Sequence, residues 1–413
     1  MATDNIVVGL DIGTSKIAVI IGNTWQGDPE KIEIRGVGTA PSRGLRRGIV
    51  VDMELTTAAI REAVSAAELM SGVQIGSAHV GIAGGHIMGQ TSHGIVAVSG
   101  EGHEITQSDI DRAINAAKAV AIPADREEIM SLRQRFKVDN QDGIKDPIGM
   151  SGVRLEAYVH IITGAVGAVK NLTTCVNDAG MAVESVVLEP IASAESVLNS
   201  EEKLIGVALA DIGGGTTDTV VYKDGALRHT EVLSIGGDNL THDIAQLLKM
   251  TPDDAIQLKH LKGCALVEMV DPSETIQIPT VGGLHRPQFV PREFLAEIVQ
   301  CRMEETLNLI YQEIKKSGVD VPAGLVLTGG TSLMNGMVEL AEPVFPCPVR
   351  VGYPRPLKGL IDKVNSPVYA TGVGLVMLGS QNHHMTDGRS FIKGEDRFNQ
   401  ILSQMKNWFS DYF

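Results

Sequence analysis

Aromatic residues are scarce in this sequence, with two Trp, six Tyr and eight Phe among 413 residues. Basic residues are outnumbered, because 35 Lys and Arg stand against 50 Asp and Glu and leave a formal net charge of −15. No Lys/Arg run interleaved with aromatic residues occurs, so the basic surface typical of nucleic-acid-binding proteins is missing. We therefore expect no nucleic-acid partner.

Paired cysteines and long apolar runs are also absent. The four cysteines lie far apart without CxxC spacing, which argues against a disulfide framework and a zinc site. The most apolar stretch, TGVGLVMLG at 371–379, has about half of the roughly 20 residues that a membrane-spanning helix needs. The first residues lack a basic region and predict a strand, not a signal peptide. Any membrane contact is expected to be peripheral.

The remaining composition is that of a folded protein, with 43% hydrophobic and 21% charged residues. A chain of this length predicts two lobes or several subdomains. A pattern of strand, loop and strand occurs twice: apolar runs at 6–10 and 17–21 flank DIGTSK, and runs at 204–210 and 219–222 flank DIGGGTTD. This recurrence predicts an internal duplication.

Both loops have the composition of a phosphate-binding nest. Small residues let successive backbone N–H groups approach one point, and hydroxyl and ammonium groups add donors for anionic oxygens. Carboxylates at the start of such loops commonly hold hydrated Mg²⁺, which makes Asp11 and Asp211 the candidate metal ligands. The candidate phosphate ligands are Gly13, Thr14, Ser15 and Lys16 in the first loop and Gly213, Gly214, Gly215, Thr216 and Thr217 in the second.

Two further glycine pairs extend the pattern. Gly329, Gly330 and Thr331 follow a predicted strand at 324–327, where small residues would let the backbone pack against a nucleobase or ribose. Gly236 and Gly237 precede a predicted helix. Any one glycine turn could simply end a strand, but the turns together favour a nucleotide site.

The order of the motifs resembles the signature of the actin and heat-shock-chaperone ATPase superfamily, over residues 5–379. The motifs are DIGTSK (11–16), EPIASA (189–194), DIGGGTTD (211–218), LTGGTSL (327–333) and PVYATGVG (367–374). The resemblance implies an α/β, actin-like fold of two lobes, each a mixed sheet with helices on both faces. It also implies ATP and Mg²⁺ in the cleft between the lobes and two helices crossing behind the nucleotide.

Within that superfamily the chain resembles the FtsA-like proteins. The features that select them are the GTSK form of the first loop, LEPIASAESVL at 188–198, GGTSLMNGMVELAE at 329–342 and an insert at 85–163. In FtsA-like proteins this insert contacts neighbouring subunits in a filament, which implies self-association. Their adenosine-contacting helix carries Glu three residues before Lys; here Lys259 matches, but Ile256 stands at the Glu position.

The implied organisation has six parts. They are a first-lobe core at 1–84, 164–195 and 366–379; the inserted assembly subdomain at 85–163; a second-lobe core at 196–235 and 300–365; a small second-lobe subdomain at 236–299; a flexible linker at 380–394; and a C-terminal helix at 395–413. Within the insert, 106–109 (TQSD) resembles a capping box and opens a helical pattern through Ala121.

Hydrolysis of ATP would require a carboxylate that orients a water molecule against the terminal phosphate. Glu189 and Asp211 are the candidate catalytic residues. Glu189 lies before Pro190, so it could equally be a structural residue at a helix start. FtsA-like proteins are generally ATP binders and slow ATPases, which makes ATP binding the firmer expectation.

The last residues predict a strongly amphipathic helix that binds a membrane surface. Apolar residues recur at the three-and-four spacing of one helical face, and five of the chain's aromatic residues fall in its last 16 positions. Packing of this helix on its own domain is the alternative. The candidate membrane-binding residues are Phe398, Ile401, Leu402, Met405, Trp408 and Phe409.

The resemblance implies a cell-division protein that polymerises on the cytoplasmic face of the inner membrane at midcell. It would tether the FtsZ ring and bind other division proteins. Arg286 and Arg292, in the small subdomain, could receive the acidic C-terminal peptide of FtsZ, or could be ordinary solvated charges. The alternatives are an actin-like adaptor of pilus assembly and a small-molecule kinase of the same superfamily.

Overall fold

The computed structural model describes residues 5–25, 28–278, 288–355 and 357–386. The predicted membrane-binding residues and Arg286 lie outside these ranges. No helix in the described ranges has the length and apolar content that crossing a membrane requires.

The described residues form an α/β structure in which strands and helices alternate. The elements to residue 82 are β1 (Asn5–Ile12), β2 (Lys16–Trp25), β3 (Asp28–Pro41), β4 (Leu45–Arg46), β5 (Ile49–Val50), α1 (Met53–Ser71) and β6 (Ser77–Ile82). Those to residue 165 are β7 (Met88–Ala97), α2 (Gln107–Lys118), β8 (Arg126–Val138), β9 (Gln141–Ile144) and β10 (Arg154–Ala165). Those to residue 233 are α3 (Val166–Asp178), β11 (Ala182–Leu188), α4 (Glu189–Val197), α5 (Ser200–Ile205), β12 (Val207–Ile212), β13 (Thr217–Lys223) and β14 (Ala226–Leu233).

The rest of the described chain begins with two helices of the small subdomain. Its elements are α6 (Gly237–Leu247), α7 (Pro252–Lys262), β15 (Thr275–Ile278), β16 (Gln288–Pro291), α8 (Arg292–Lys316), β17 (Leu325–Thr328), α9 (Met337–Ala341), β18 (Val349–Val351), β19 (Lys358–Gly359), α10 (Ile361–Val364) and α11 (Ala370–Thr386).

Two sheets repeat one topology. The first has the order β11-β6-β1-β2-β3-β19, and the second has the order β14-β13-β12-β17-β18. In each, an antiparallel hairpin carries a glycine loop, and its first strand (β1 or β12) pairs in parallel with a later strand (β6 or β17). Such mixed sheets are buried on both faces, and Leu10 and Leu209 at their centres are fully buried. The predicted duplication and two-lobe α/β fold are confirmed.

The insert forms a third sheet, in the order β7-β10-β8-β9, with α2 packed on one face. The predicted capping box is present, since Asp109 accepts hydrogen bonds from the backbone N–H and hydroxyl of Thr106 at 3.0 and 2.7 Å. The opposite side of the sheet contacts β14 of the second lobe. There Gln134 Nε2 donates to the Leu227 carbonyl at 2.7 Å, and His160 Nε2 lies 2.9 Å from Thr230 Oγ1.

Four sequence expectations about element boundaries were wrong. The strand expected at 204–210 begins at Val207, because the Asn199 capping box makes 200–205 a helix. The helix expected through Ala121 ends at Lys118, before a polar turn. Residues 358–359, grouped with the second lobe, pair with β3 of the first. The linker expected from residue 380 is helical to Thr386, because 380–386 contains neither Gly nor Pro and extends an already formed helix.

Helices α4 and α11 cross in close contact, with α11 packed on the first sheet and α4 in contact with strands of both sheets. A Cβ on Gly374 would overlap the carbonyl carbon and oxygen of Ala192 in α4. Because these are backbone atoms of a buried helix, no side-chain rotation can relieve the overlap. Glycine at this position sets the distance between the two helices.

We predict that Gly374→Ala costs about 3 kcal/mol or more, because one of the crossing helices must move. The thermal unfolding midpoint should fall by about 3 °C or more, because the entropy of unfolding of a chain of this length is large. The matched control is Gly167→Ala in α3, where an added Cβ meets no atom within 4 Å. That variant should stay within about 1 kcal/mol of the parent. Equal midpoints for the two variants in a scan of the full chain would contradict the close crossing.

Candidate functional site

The two glycine loops lie against each other across the interface between the lobes. A Cβ on Gly214 would overlap the Ser15 hydroxyl, and a Cβ on Gly215 would lie 2.6 Å from Thr14 Oγ1. A larger residue at either position would force the side chain of Ser15 or Thr14 to shift. The structure thus brings the predicted phosphate ligands of both loops together.

The first turn of α6 rests on the second loop. The N–H groups of Gly237 and Asp238 donate to the carbonyls of Gly213 and Gly214 at 2.9 and 2.8 Å. Lys259, on α7, donates to the Gly237 carbonyl and to Thr241 Oγ1, both at 2.9 Å. The Lys259 side chain therefore lies beside the glycine turn at the start of α6.

The third glycine turn closes the same region. Thr331 Oγ1 donates to the Gly213 carbonyl at 3.1 Å, and a Cβ on Gly237 would lie 2.7 Å from that hydroxyl. Gly329 has a φ of +83°, and a Cβ there would lie 2.6 Å from the Ile212 carbonyl oxygen. Gly330 follows it as the first residue of a 3-10 turn. All the sequence-predicted nucleotide ligands thus lie in one region between the lobes.

Four carboxyl groups lie behind the loops, where burial raises their pKa values. Burial raises the pKa of Asp11 to about 7, with Lys16 lowering it and Asp211 raising it. Burial and then the neighbouring Asp211 raise the pKa of Asp218 to about 8. Burial, followed by the charges of Asp11 and Asp218, raises the pKa of Glu189 well above its usual range. Without a bound cation, the cluster retains protons near neutral pH.

Lys16 is the cation that faces this cluster. Its ammonium lies 3.8 Å from the centroid of the Tyr369 ring and, among the described residues, has no hydrogen-bond partner. Burial lowers the pKa of Lys16 to about 8, while Asp11 and Asp211 raise it. A buried carboxylate oxygen of Asp218 also lacks a described partner. A buried ammonium and a buried carboxylate oxygen, both without described partners, fit a site that binds a polyanion together with a cation.

Asp211 connects the cluster to the crossing helices. Its Oδ2 accepts hydrogen bonds from Ser193 Oγ in α4 at 2.6 Å and from Thr371 Oγ1 in α11 at 3.3 Å. The two hydroxyls lie 3.0 Å apart. Burial raises the pKa of Asp211, and these two hydrogen bonds lower it. Any change of charge at Asp211 therefore acts directly on both helices.

Several residues of the site were not predicted. Ser193, Thr371 and Asp218 lie inside motifs that were recognised, and their small polar side chains at helix and loop positions were the available signal. No sequence pattern predicted the β4–β5 hairpin. Its Gly48 N–H donates to Thr14 Oγ1 at 3.1 Å, so the hairpin covers the first loop.

The other predicted site residues lie away from this cluster or outside the described ranges. Arg292 forms an ion pair with Glu274 at 2.7 Å and donates to the Lys262 carbonyl at 3.0 Å, so its guanidinium is held within the small subdomain. Ile256 is exposed on α7. Arg286 and the residues of the predicted C-terminal helix lie outside the described ranges.

Comparison with known proteins identifies the family. The model described as "Cell division protein FtsA" matches residues 208–374, and "SHS2 domain inserted in FTSA" matches residues 84–163. The cell division protein FtsA of Pseudomonas aeruginosa is 45% identical over 98% of both chains. FtsA of Escherichia coli K12 is 39% identical over 92% of both. The chain belongs to the FtsA family of cell division proteins.

Solved structures confirm the actin-like fold of this FtsA-family protein. The PilM–PilN type IV pilus biogenesis complex contains a chain that aligns with a TM-score of 0.65 and 14% identity, covering 91% of this chain and 98% of its own length. MreB5 of Spiroplasma citri bound to ADP aligns with a TM-score of 0.53 and 13% identity, covering 92% and 97%. At these identities the likeness concerns the fold.

The raised carboxyl pKa values predict a pH-dependent stability. Because Asp218 has a higher pKa in the folded chain than in the unfolded one, the folded state binds more protons between about pH 4 and 8. The contribution of Asp218 to the free energy of unfolding is therefore fully present below pH 4 and is lost as the pH rises through about 8. The variant Asp218→Asn stays neutral, so without metal or nucleotide its unfolding midpoint should fall less between pH 5 and 8.

The control for this measurement is Glu297→Gln, an exposed carboxylate on α8. Its midpoint should follow the parent at every pH in the same chelator-treated buffer. An Asp218→Asn profile parallel to that of the parent would show that Asp218 is already ionised in the folded chain.

Proposed function

We propose that this FtsA-family protein binds ATP with Mg²⁺ between its lobes and anchors a division filament to the inner membrane. The observation that carries the ATP proposal is the meeting of two glycine loops over a buried carboxyl cluster. The loops and Lys16 would hold the phosphates, with the third glycine turn and Lys259 beside the nucleoside. MreB5 of Spiroplasma citri, whose fold is similar, is bound to ADP in its solved structure.

Asp11 and Asp211 would hold Mg²⁺, which supplies positive charge that offsets the phosphate oxygens and the carboxylates. Added positive charge favours ionised carboxylates, so Asp11, Asp211 and Asp218 would give up protons when the site fills. Asp211 would then change its hydrogen bonds with Ser193 and Thr371, which lie on the two crossing helices. This is a direct route from nucleotide binding to the angle between the lobes.

Glu189 and Asp211 would orient a water molecule if ATP is hydrolysed. A protonated Glu189 cannot accept a proton, and burial raises its pKa well above the usual range. Hydrolysis would therefore wait for the positive charge that lets Glu189 ionise. This order of events favours a nucleotide binder with at most slow turnover.

The membrane and partner functions rest on the sequence and on family membership. In the sequence, the amphipathic pattern follows α11 (Ala370–Thr386). The helix would bury its apolar face at the headgroup boundary, and assembly of protomers through 85–163 would raise its avidity. The small subdomain, with Arg286 and Arg292, would receive FtsZ at midcell.

Two other functions are compatible with an actin-like fold. A pilus-assembly adaptor shares the fold, as the PilM–PilN alignment shows. The full-length FtsA relatives favour cell division instead. A small-molecule kinase would need a substrate pocket with a catalytic base between the lobes, and no sequence motif suggests one.

Co-sedimentation with liposomes of anionic and zwitterionic phospholipid tests the proposal. We expect the full chain to pellet, more strongly with Mg-ATP, and a chain ending at Thr386 to stay in the supernatant because the apolar face is lost. Ending at Thr386 keeps α11 whole. Gly214→Ala in the full chain should pellet without the gain from Mg-ATP, because its Cβ would displace the Ser15 hydroxyl, one of the proposed phosphate ligands.

The matched control is Gly76→Ala, where an added Cβ meets no atom within 4 Å. It should behave as the parent. If the full chain and the shortened chain partition equally, the C-terminal helix is not the membrane anchor. If Gly214→Ala keeps the gain from Mg-ATP, the contact between the two loops is not part of the nucleotide site.

A further inference from the structure

A second group of metal-ligating side chains lies outside the nucleotide site, between β14 and α8. His229 and Glu231 lie two residues apart on β14, so their side chains share one face of that strand. Glu313, in the last turn of α8, lies opposite them. One ligand atom from each of the three residues lies within 4.8 Å of the others. A strand and a helix distant in sequence thus supply one nitrogen and two oxygen ligands.

The imidazole of His229 offers a ring nitrogen to a metal. Its Nε2 is buried and has no hydrogen-bond partner among the described residues. A buried ring nitrogen without a partner is uncommon in a folded protein, and a metal ion is one of the groups that satisfies it.

The two carboxylates lie close enough to repel each other. Each offers a carboxylate oxygen, and these ligand atoms lie within 4.8 Å of each other. Glu313 is 8% exposed, and its Oε1 lies 2.6 Å from the ammonium of Lys316. The Lys316 side chain itself is 66% exposed, so it can turn into solvent without losing buried contacts. The cluster therefore holds a replaceable cation beside two acids and an imidazole.

We propose that His229, Glu231 and Glu313 bind a divalent transition-metal ion of the Zn²⁺ class, which displaces the Lys316 ammonium. One imidazole and two carboxylates suit Zn²⁺ or Co²⁺, whereas Mg²⁺ and Ca²⁺ prefer oxygen ligands alone. Three protein ligands leave a position for water. This site is independent of the proposed nucleotide site, so either can fail without the other.

The position of the site gives the metal a structural consequence. Thr230, between the two β14 ligands, contacts His160 of the insert at 2.9 Å, and the Leu227 carbonyl accepts from Gln134 of the insert. A metal that joins β14 to α8 would hold the strand on which the insert docks. Metal binding should then restrict the insert relative to the second lobe.

The test is calorimetric titration of the full chain with Zn²⁺ at pH 7.5, with a reducing agent that does not bind metal. Saturating Mg²⁺ is included to keep Zn²⁺ from the acidic cluster between the lobes. His229→Gln and Glu313→Gln should each weaken one Zn²⁺ site at least tenfold. Lys316→Met should tighten that site several-fold, because the competing ammonium is gone. The control His242→Gln, an exposed histidine on α6, should match the parent.

Lys316→Met keeps all three ligands and changes an exposed side chain, so it remains informative if a ligand variant unfolds. Co²⁺ supplies a second readout, since a four-coordinate nitrogen and oxygen site gives strong visible absorption that His229→Gln should remove. Titrations of the ligand variants that match the parent would overturn the proposal. So would a Lys316→Met variant that binds Zn²⁺ no more tightly than the parent.

Discussion

The burial of four carboxyl groups beside one ammonium is the constraint on which the rest of this structure depends. Asp11, Asp211, Asp218 and Glu189 lie where two glycine loops and two crossing helices meet. Each has a pKa raised chiefly by burial. The folded chain can keep this arrangement only by holding protons or by taking up positive charge. The protonation of the cluster therefore depends on any cation that enters between the lobes.

The close contacts around the cluster explain why small residues occupy so many positions. Gly214 and Gly215 let the second loop touch the first, and Gly374 lets α11 lie against α4. The hydroxyls of Ser193 and Thr371 then reach Asp211 from both helices. Glycine at these positions thus sets how closely the two loops and the two crossing helices approach each other.

Much of the site could be predicted from the sequence because its parts are contiguous motifs. The loops 11–16 and 211–218 are predicted by their pattern of flanking strands, glycines and hydroxyl residues. Both lie in the expected hairpins. Asp218, Ser193 and Thr371 were inside recognised motifs, but their roles depend on which atoms meet across distant segments. The β4–β5 hairpin over Thr14 was missed because a two-residue pairing has no sequence period.

The predicted boundaries of elements and lobes were wrong where local packing and backbone pairing, and not composition, determined the structure. The polar residues 380–386 were expected to form a linker, yet they continue α11, whose earlier turns are buried against the first sheet. Residues 358–359 were assigned to the second lobe by chain position, while backbone pairing puts them beside β3. No sequence pattern predicted the contact between the insert and β14. Gln134 and Leu227 are more than 90 residues apart, and a side-chain hydrogen bond joins them.

The most direct test of this account is the proton balance of Mg-ATP binding at pH 7. Titration calorimetry in two buffers of different ionisation enthalpy measures how many protons leave the protein when the ligand binds. The account predicts net proton release from the protein carboxyls, and less release when Asp218 is replaced by Asn. A binding enthalpy that is the same in both buffers, after correction for the protons of Mg-ATP itself, would contradict a protonated cluster.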